Sequence, residues 1–201
     1  MARIHGLVTQ RDPTDNTRLA KFDPMFAVPV VNSVEHYEIH EGHAFKCNAV
    51  DTAMADTDEL ALCCKTPAGT KLIHVIYEFS TLTGGHLDLV EGPTWTTGSG
   101  AQHAIFNRLR AVAMASSVLL EDTTSAFVAN DAMVLSPAAL AGGTVVDSVY
   151  AFAVKNRFSG AGRDGNEWVL QPDTTYAFRF VATAAANAAR ILLHWYEHPT
   201  A

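Results

Sequence analysis

Lys/Arg runs, cysteines and long apolar stretches are all scarce in this 201-residue chain, and each scarcity removes a class of function. No Lys/Arg run exceeds two residues and the formal net charge is -7, so the electrostatic footprint of a nucleic-acid binder is missing. No stretch approaches 18 uninterrupted apolar residues, so no membrane-spanning helix is expected. Residues Met1 to Asn16 contain no apolar core of the kind a secretory signal needs. The three cysteines, Cys47, Cys63 and Cys64, are an odd set and form no disulfide framework. On a strand Cys63 and Cys64 point to opposite faces, as small buried hydrophobes, which fits a chain made in a reducing cytoplasm. Charged residues are also few, at 17%, against 48% hydrophobic residues. That balance supplies a core and leaves apolar surface that assembly could cover.

What the chain has is a succession of short alternating runs punctuated by turns. Tyr37 and Ile39 alternate with His36, Glu38 and His40, and Glu41-Gly42 turns into a run from Ala44 to Val50. Lys71 to Phe79 places Ile73, Val75, Tyr77 and Phe79 on one face, and Gly84-Gly85 leads to Leu87 and Leu89. The run Val145 to Val154 puts Val146, Tyr150, Phe152 and Val154 together. Thr174 to Thr183 sends Tyr176, Phe178 and Phe180 inward, with Thr175, Ala177 and Arg179 outward. Arg190 to Glu197 closes the chain. About ten strands spaced by Gly/Pro turns predict an all-β fold, an antiparallel β-sandwich that is jelly-roll-like. Composition alone allows a helix over Gln102 to Ser117, and Ala182 to Ala189 reads as a loop.

Residues 1–33 differ from the rest. Pro24 and Pro29 interrupt the apolar run Phe22 to Val31, and proline removes ladder donors, so the segment reads as an edge strand or an extended arm. Two readings stand side by side: a frayed terminus, or an arm laid over a neighbouring subunit, since Phe22, Met25, Phe26, Val28, Val30 and Val31 make too much apolar surface to leave in water. The expected organisation is an N-terminal arm, residues 1–33, and one sandwich domain, residues 34–201.

Two histidine motifs invite a metal and fail on geometry. The segment Ile191 to His198 contains His194-x-x-Glu197-His198, the inverted zinc-peptidase signature, which requires a helix. Period-two placement of Ile191, Leu193 and Trp195 predicts a strand instead. There the two histidines stand ~13 Å apart, too far to share a zinc ion. The cluster His36, His40 and His43 would align on a helix and could hold a metal; on a strand His36 and His40 are again ~13 Å apart. The cupin pattern also fails, because the position two beyond His74 is Ile76. No Gly-x-Ser-x-Gly elbow or phosphate loop is present. Trp95, Trp168 and Trp195 would allow a sugar-stacking platform if exposed, or packing if not. The last strand is apolar on both faces, Ile191, Leu193 and Trp195 against Leu192 and Tyr196, so its outer face is expected to meet another chain, with Trp195 and Tyr196 as candidate interface residues.

A further set of motifs occurs in a fixed order. These are His36-Tyr37-Glu38-Ile39-His40-Glu41-Gly42-His43-Ala44-Phe45, Glu91-Gly92-Pro93-Thr94, Asn107-Arg108, Gln171-Pro172-Asp173-Thr174-Thr175-Tyr176 and Trp195-Tyr196-Glu197-His198. Across residues 36 to 198 the chain thereby resembles tailed-bacteriophage virion structural proteins of the capsid decoration, or cement, type. Asn107-Arg108-Leu109-Arg110 departs from the pattern, so no role passes to its arginines. The resemblance implies a jelly-roll-like fold with no catalytic, cofactor-binding or metal residues to carry over. It also implies a homo-oligomer, dimer or trimer, bound to the major capsid protein on the capsid exterior after synthesis in the host cytoplasm. Neither nucleic acid nor membrane is an expected partner. Two rival expectations remain: a tail or host-recognition component that binds glycans, and a metal-dependent enzyme centred on His36, His40 and His43.

Overall fold

The structure is a computed structural model that describes residues 9–11, 17–19, 34–69, 71–111, 115–121, 127–129, 132–151, 158–161 and 167–199. The expected arm residues Phe22, Met25, Phe26, Val28 and Val30 lie outside the described residues. Within 1–33 only a small antiparallel hairpin is described, β1 (Thr9–Arg11) with β2 (Thr17–Leu19).

The segment expected as a first strand is instead a short helix, α1 (Val34–Glu41). Its alternating polar and apolar residues imitate period two, but the glycine that follows decides the outcome. Gly42 adopts φ 80°, and two bonds close the helix end: Gly42 N to Ile39 O at 3.2 Å and His43 N to Glu38 O at 2.8 Å. That pair is the Schellman stop, which favours glycine because it has no Cβ to strain.

Thereafter the described residues are all strand and turn. The strands are β3 (Ala44–Met54), β4 (Glu59–Lys65), β5 (Lys71–Thr81), β6 (Gly85–Glu91), β7 (Ala101–Ala104) and β8 (Phe106–Asn107). They continue with β9 (Leu119–Glu121), β10 (Phe127–Ala129), β11 (Ala132–Leu135), β12 (Thr144–Ala151) and β13 (Phe158–Ala161). The last three are β14 (Trp168–Leu170), β15 (Thr175–Ala182) and β16 (Asn187–Pro199). Strands β7 and β8 occupy the region whose composition allowed a helix. The Ala-rich segment after β15 is a bend over 183–186 that runs directly into β16.

Two antiparallel sheets face each other. The six-stranded sheet runs β13-β5-β16-β3-β8, with β14 also on β5; the eight-stranded sheet runs β10-β9-β4-β15-β6-β12, with β11 beside β4 and β7. The chain crosses between sheets at each step from β3 to β6, and β16 returns to lie between β3 and β5. The order β3-β16-β5-β13 thus faces β4-β15-β6-β12, the wrapping of a jelly roll.

The core lies where the inward positions meet. Ile73, Val75, Tyr77 and Phe79 of β5, Ile191, Leu193 and Trp195 of β16, and Tyr176, Phe178 and Phe180 of β15 are all buried. Tyr77 meets Phe178 and Phe79 meets Phe180 across the two sheets, each with ring centroids 5.7 Å apart. Burying side chains of this size contributes about 1.5–3 kcal/mol each. A second apolar cluster sits on the outer side of the eight-stranded sheet. There Ala61, Cys63, Val90, Ala132, Val134 and Ala177 are small enough for Trp95 and Leu140 to pack over them. A backbone bridge between Thr94 and Ala141 holds the two covering loops together. Cys63 enters this cluster while Cys64 enters the main core, as expected of neighbours on a strand.

One expected face is broken. A bulge in β12 shifts the register between Val145 and Asp147. The extra residue inverts the phase, so Val149 and Ala151 follow Val146 inward while Tyr150 turns out, 53% exposed. The same shift carries Asp147 inward, where it accepts hydrogen bonds from the Tyr77 hydroxyl and, at 3.3 Å, from the Trp168 indole.

Candidate functional site

The outward face of the six-stranded sheet gathers a cluster of ionisable and aromatic side chains. Strands β5 and β16 are paired with Tyr196 opposite His74 and His198 opposite Leu72. Period two therefore sets His74, Tyr196 and His198 on the outer side. The neighbouring β14 pairs Val169 with His74, which brings Glu167 alongside. The His74 imidazole stacks on the Tyr196 ring, with centroids 4.7 Å apart and planes 15° apart, and also meets the His198 ring at 4.6 Å. His74 Nδ1 hydrogen-bonds Glu167 Oε1, and the Tyr196 hydroxyl donates to the same oxygen at 2.6 Å. The other nitrogen, His74 Nε2, faces His198 Nε2 at 2.7 Å.

One proton arrangement uses every contact. With Glu167 as acceptor and His74 carrying its hydrogen on Nδ1, the His74 Nε2 lone pair is left to accept from His198 Nε2. The result is a relay, Glu167 to His74 to His198, across two neighbouring strands and the segment leading into a third.

Around the relay the face is mixed. Arg108 shares a shallow depression with His74, Ile76, His194 and Tyr196, and a second depression is lined by Lys46, Phe106, Asn107, Arg108 and Arg110. The Arg110 guanidinium lies over the Phe106 ring, 5.6 Å from its centroid. Folding thus assembles a cationic patch from Lys46, Arg108 and Arg110, although no basic run exists in the sequence. Val50, Phe106 and Val169 stand on this same outward face, 54%, 44% and 49% exposed.

The inward side of the same strand end is different. Glu197, one residue from Tyr196 and His198, is buried and accepts from the Ser116 hydroxyl at 2.7 Å, the Ser117 backbone N–H at 3.0 Å and the Ser117 hydroxyl at 2.5 Å. The Trp195 indole donates to it at 3.3 Å, and Lys71 Nζ lies 3.7 Å away. The zinc-peptidase motif is therefore split by the strand, with both histidines outward and the glutamate inward.

The other expected residues fall as follows. Trp195 is buried in the core, stacked on Phe45 with centroids 5.8 Å apart, so its surface is used within the chain. Tyr196 lies on the outer face but is 7% exposed, covered by its neighbours in the relay. Trp168 packs inward and Trp95 packs over the second cluster, so the three tryptophans share no platform. The cluster segment is helical up to Glu41. His36 lies on it with its side chain outside the described residues, His40 is exposed, and His43 turns back to Glu38 at 3.1 Å. Among the described residues no group of three His, Cys, Asp or Glu side chains converges on a common point for a metal ion.

The three thiols and two of the buried tyrosines hold their protons more tightly than in water. Burial pushes the Cys47 and Cys64 thiols up to about 12 and raises Cys63 likewise. Burial, together with donation to Asp147, raises Tyr77 far above the ordinary phenol range, and burial with donation to Glu91 does the same for Tyr176.

The relay could not be read from the sequence because His74 and His198 are 124 positions apart and meet only through strand pairing. Their sole early signal is that both fall on outward positions of strongly alternating runs. A comparison of the chain with family models, curated proteins and solved structures finds no match.

Proposed function

We propose that this chain is a non-enzymatic structural protein of a tailed-phage virion, a decoration protein that binds the major capsid protein and its own copies on the head exterior. The observation that carries the reading is the outer face of the six-stranded sheet. It combines exposed Phe106, Val50 and Val169 with Lys46, Arg108 and Arg110. Aromatic and arginine side chains in one patch are the composition of contact surfaces, where they supply most of the binding energy. The ordered motifs from His36 to His198 support the phage assignment, and the jelly roll supports it by analogy, since viral capsid proteins use that architecture. A decoration protein works through repeated modest contacts, because each tether raises the effective concentration of the next.

The test uses heads of the phage that carries this gene, prepared without the protein, and the purified full chain. Co-sedimentation with saturable occupancy, a dimer or trimer by light scattering, and at least a tenfold loss of occupancy in Phe106→Asp are the expected results. A monomer that never co-sediments with the heads overturns the reading.

A further inference from the structure

We infer that His74 and His198 form a binding site for a divalent transition-metal ion of the zinc class, seated between their Nε2 atoms. The inference does not depend on the virion reading.

Three observations carry it. First, the two Nε2 atoms are the converging corners of rings on adjacent strands, 2.7 Å apart. Two zinc–nitrogen bonds of ~2.05 Å at a tetrahedral angle place their nitrogens ~3.3 Å apart. A shift of ~0.6 Å between two side chains therefore opens the pair to an ion without moving the backbone. Second, Glu167 Oε1 lies against His74 Nδ1. The tautomer that satisfies this contact, with the hydrogen on Nδ1, is the one that turns the Nε2 lone pair to the site. A carboxylate behind a histidine is the usual outer support of a metal-bound imidazole, fixing its ring and raising its basicity. Third, that carboxylate is itself held by the Tyr196 hydroxyl at 2.6 Å, and Tyr196 stacks on His74, so the ring is fixed by two independent contacts.

On binding, the hydrogen shared between the two Nε2 atoms leaves, to the other nitrogen of its ring or to solvent, and the ion takes both Nε2 lone pairs. Imidazole nitrogens without a thiolate suit zinc, nickel, cobalt or copper rather than magnesium or calcium. Two protein ligands leave the remaining positions to water, or to a donor from a molecule docked on the same outward face.

The experiment is calorimetric titration of the full chain with ZnCl2 and, separately, NiCl2. Wild type is expected to bind about one equivalent. His74→Ala and His198→Ala should each weaken binding at least ~100-fold, and Glu167→Gln roughly 10- to 100-fold, with His40→Ala unchanged. In case a variant fails to fold, proton NMR of the wild-type protein reads the same site. Resonances of two histidines should shift together at one equivalent of zinc and return with chelator. Unchanged affinity in His198→Ala, shifts confined to other histidines, or no binding at millimolar zinc would each overturn the site.

Discussion

The Ser116 hydroxyl donates to the buried Glu197 carboxylate across 2.7 Å, tying the middle of the chain to its last strand. Ser117 reinforces the tie through both its backbone and its hydroxyl. A buried carboxylate with this many donors is tolerated because the donors replace water. Removing it leaves them orphaned, which costs more than the bonds themselves contribute. Glu197→Ala is expected to destabilise the protein by about 3–5 kcal/mol, measured by urea unfolding. Ser116→Ala, which removes one of several donors, should cost only about 1 kcal/mol. Equal effects from the two variants would show that the carboxylate is not the anchor.

Gly85 begins β6 at φ 157°, and a Cβ there would overlap the Phe180 ring and the Val181 carbonyl oxygen. Overpacking of this kind costs about 1–3 kcal/mol. Gly85→Ala should lose that much in urea unfolding, and Phe180→Leu in the same chain should restore part of it, because the overlapping ring is gone. Strictly additive losses would place the glycine's role elsewhere.

Alkaline pH should weaken the fold in a defined window. Cys47 and Cys64 rise from 9.0 to about 12 in the folded chain, and Tyr77 and Tyr176 rise above their ordinary value. A group with a raised folded pKa keeps its proton when the unfolded chain has lost it. Stability is therefore full below pH 9 and falls as pH rises towards the folded values. Each group adds a slope of about 1.4 kcal/mol per pH unit. Urea midpoints at pH 7, 9, 10 and 11 should be level at first and then drop. Absorbance at tyrosinate wavelengths should show Tyr77 and Tyr176 silent until unfolding. A flat profile to pH 11 contradicts the burial argument.

The patch makes a prediction separate from the core. Val50 and Phe106 are exposed, so Val50→Ser and Phe106→Ser should change stability by less than about 0.5 kcal/mol. Both variants should keep the wild-type melting temperature while lowering occupancy on heads. A fall in melting temperature instead would mean that these side chains support the sandwich itself.

Strands with strict alternation were legible from residue order alone. Ile73, Val75, Tyr77 and Phe79 face inward as their period requires, because β5 writes burial into every second position. Tyr176, Phe178 and Phe180 keep the same phase, although Ala177 between them is buried on the outer side. Two elements were not legible for local reasons. The eight-residue α1 is too short for a helical period to outweigh an alternating pattern, and its identity rests on Gly42. The bulge at Val145 to Asp147 inverts a face without any change in composition. The relay and the cationic patch were hidden for a different reason. Glu167, His74 and His198, like Lys46 and Arg108, are brought together only by the order of strands in the sheet, which short-range patterns do not encode.

The vicinal thiols have a use that follows from the two apolar clusters. Among the described residues, Trp95 and Leu140 pack over the outer cluster that holds Cys63, whereas Cys64 lies in the core between the sheets. Neighbours one peptide bond apart are thus clocks for two different openings. Labelling of Cys63 would report movement of the residues packed over the outer cluster, and labelling of Cys64 would report separation of the two sheets.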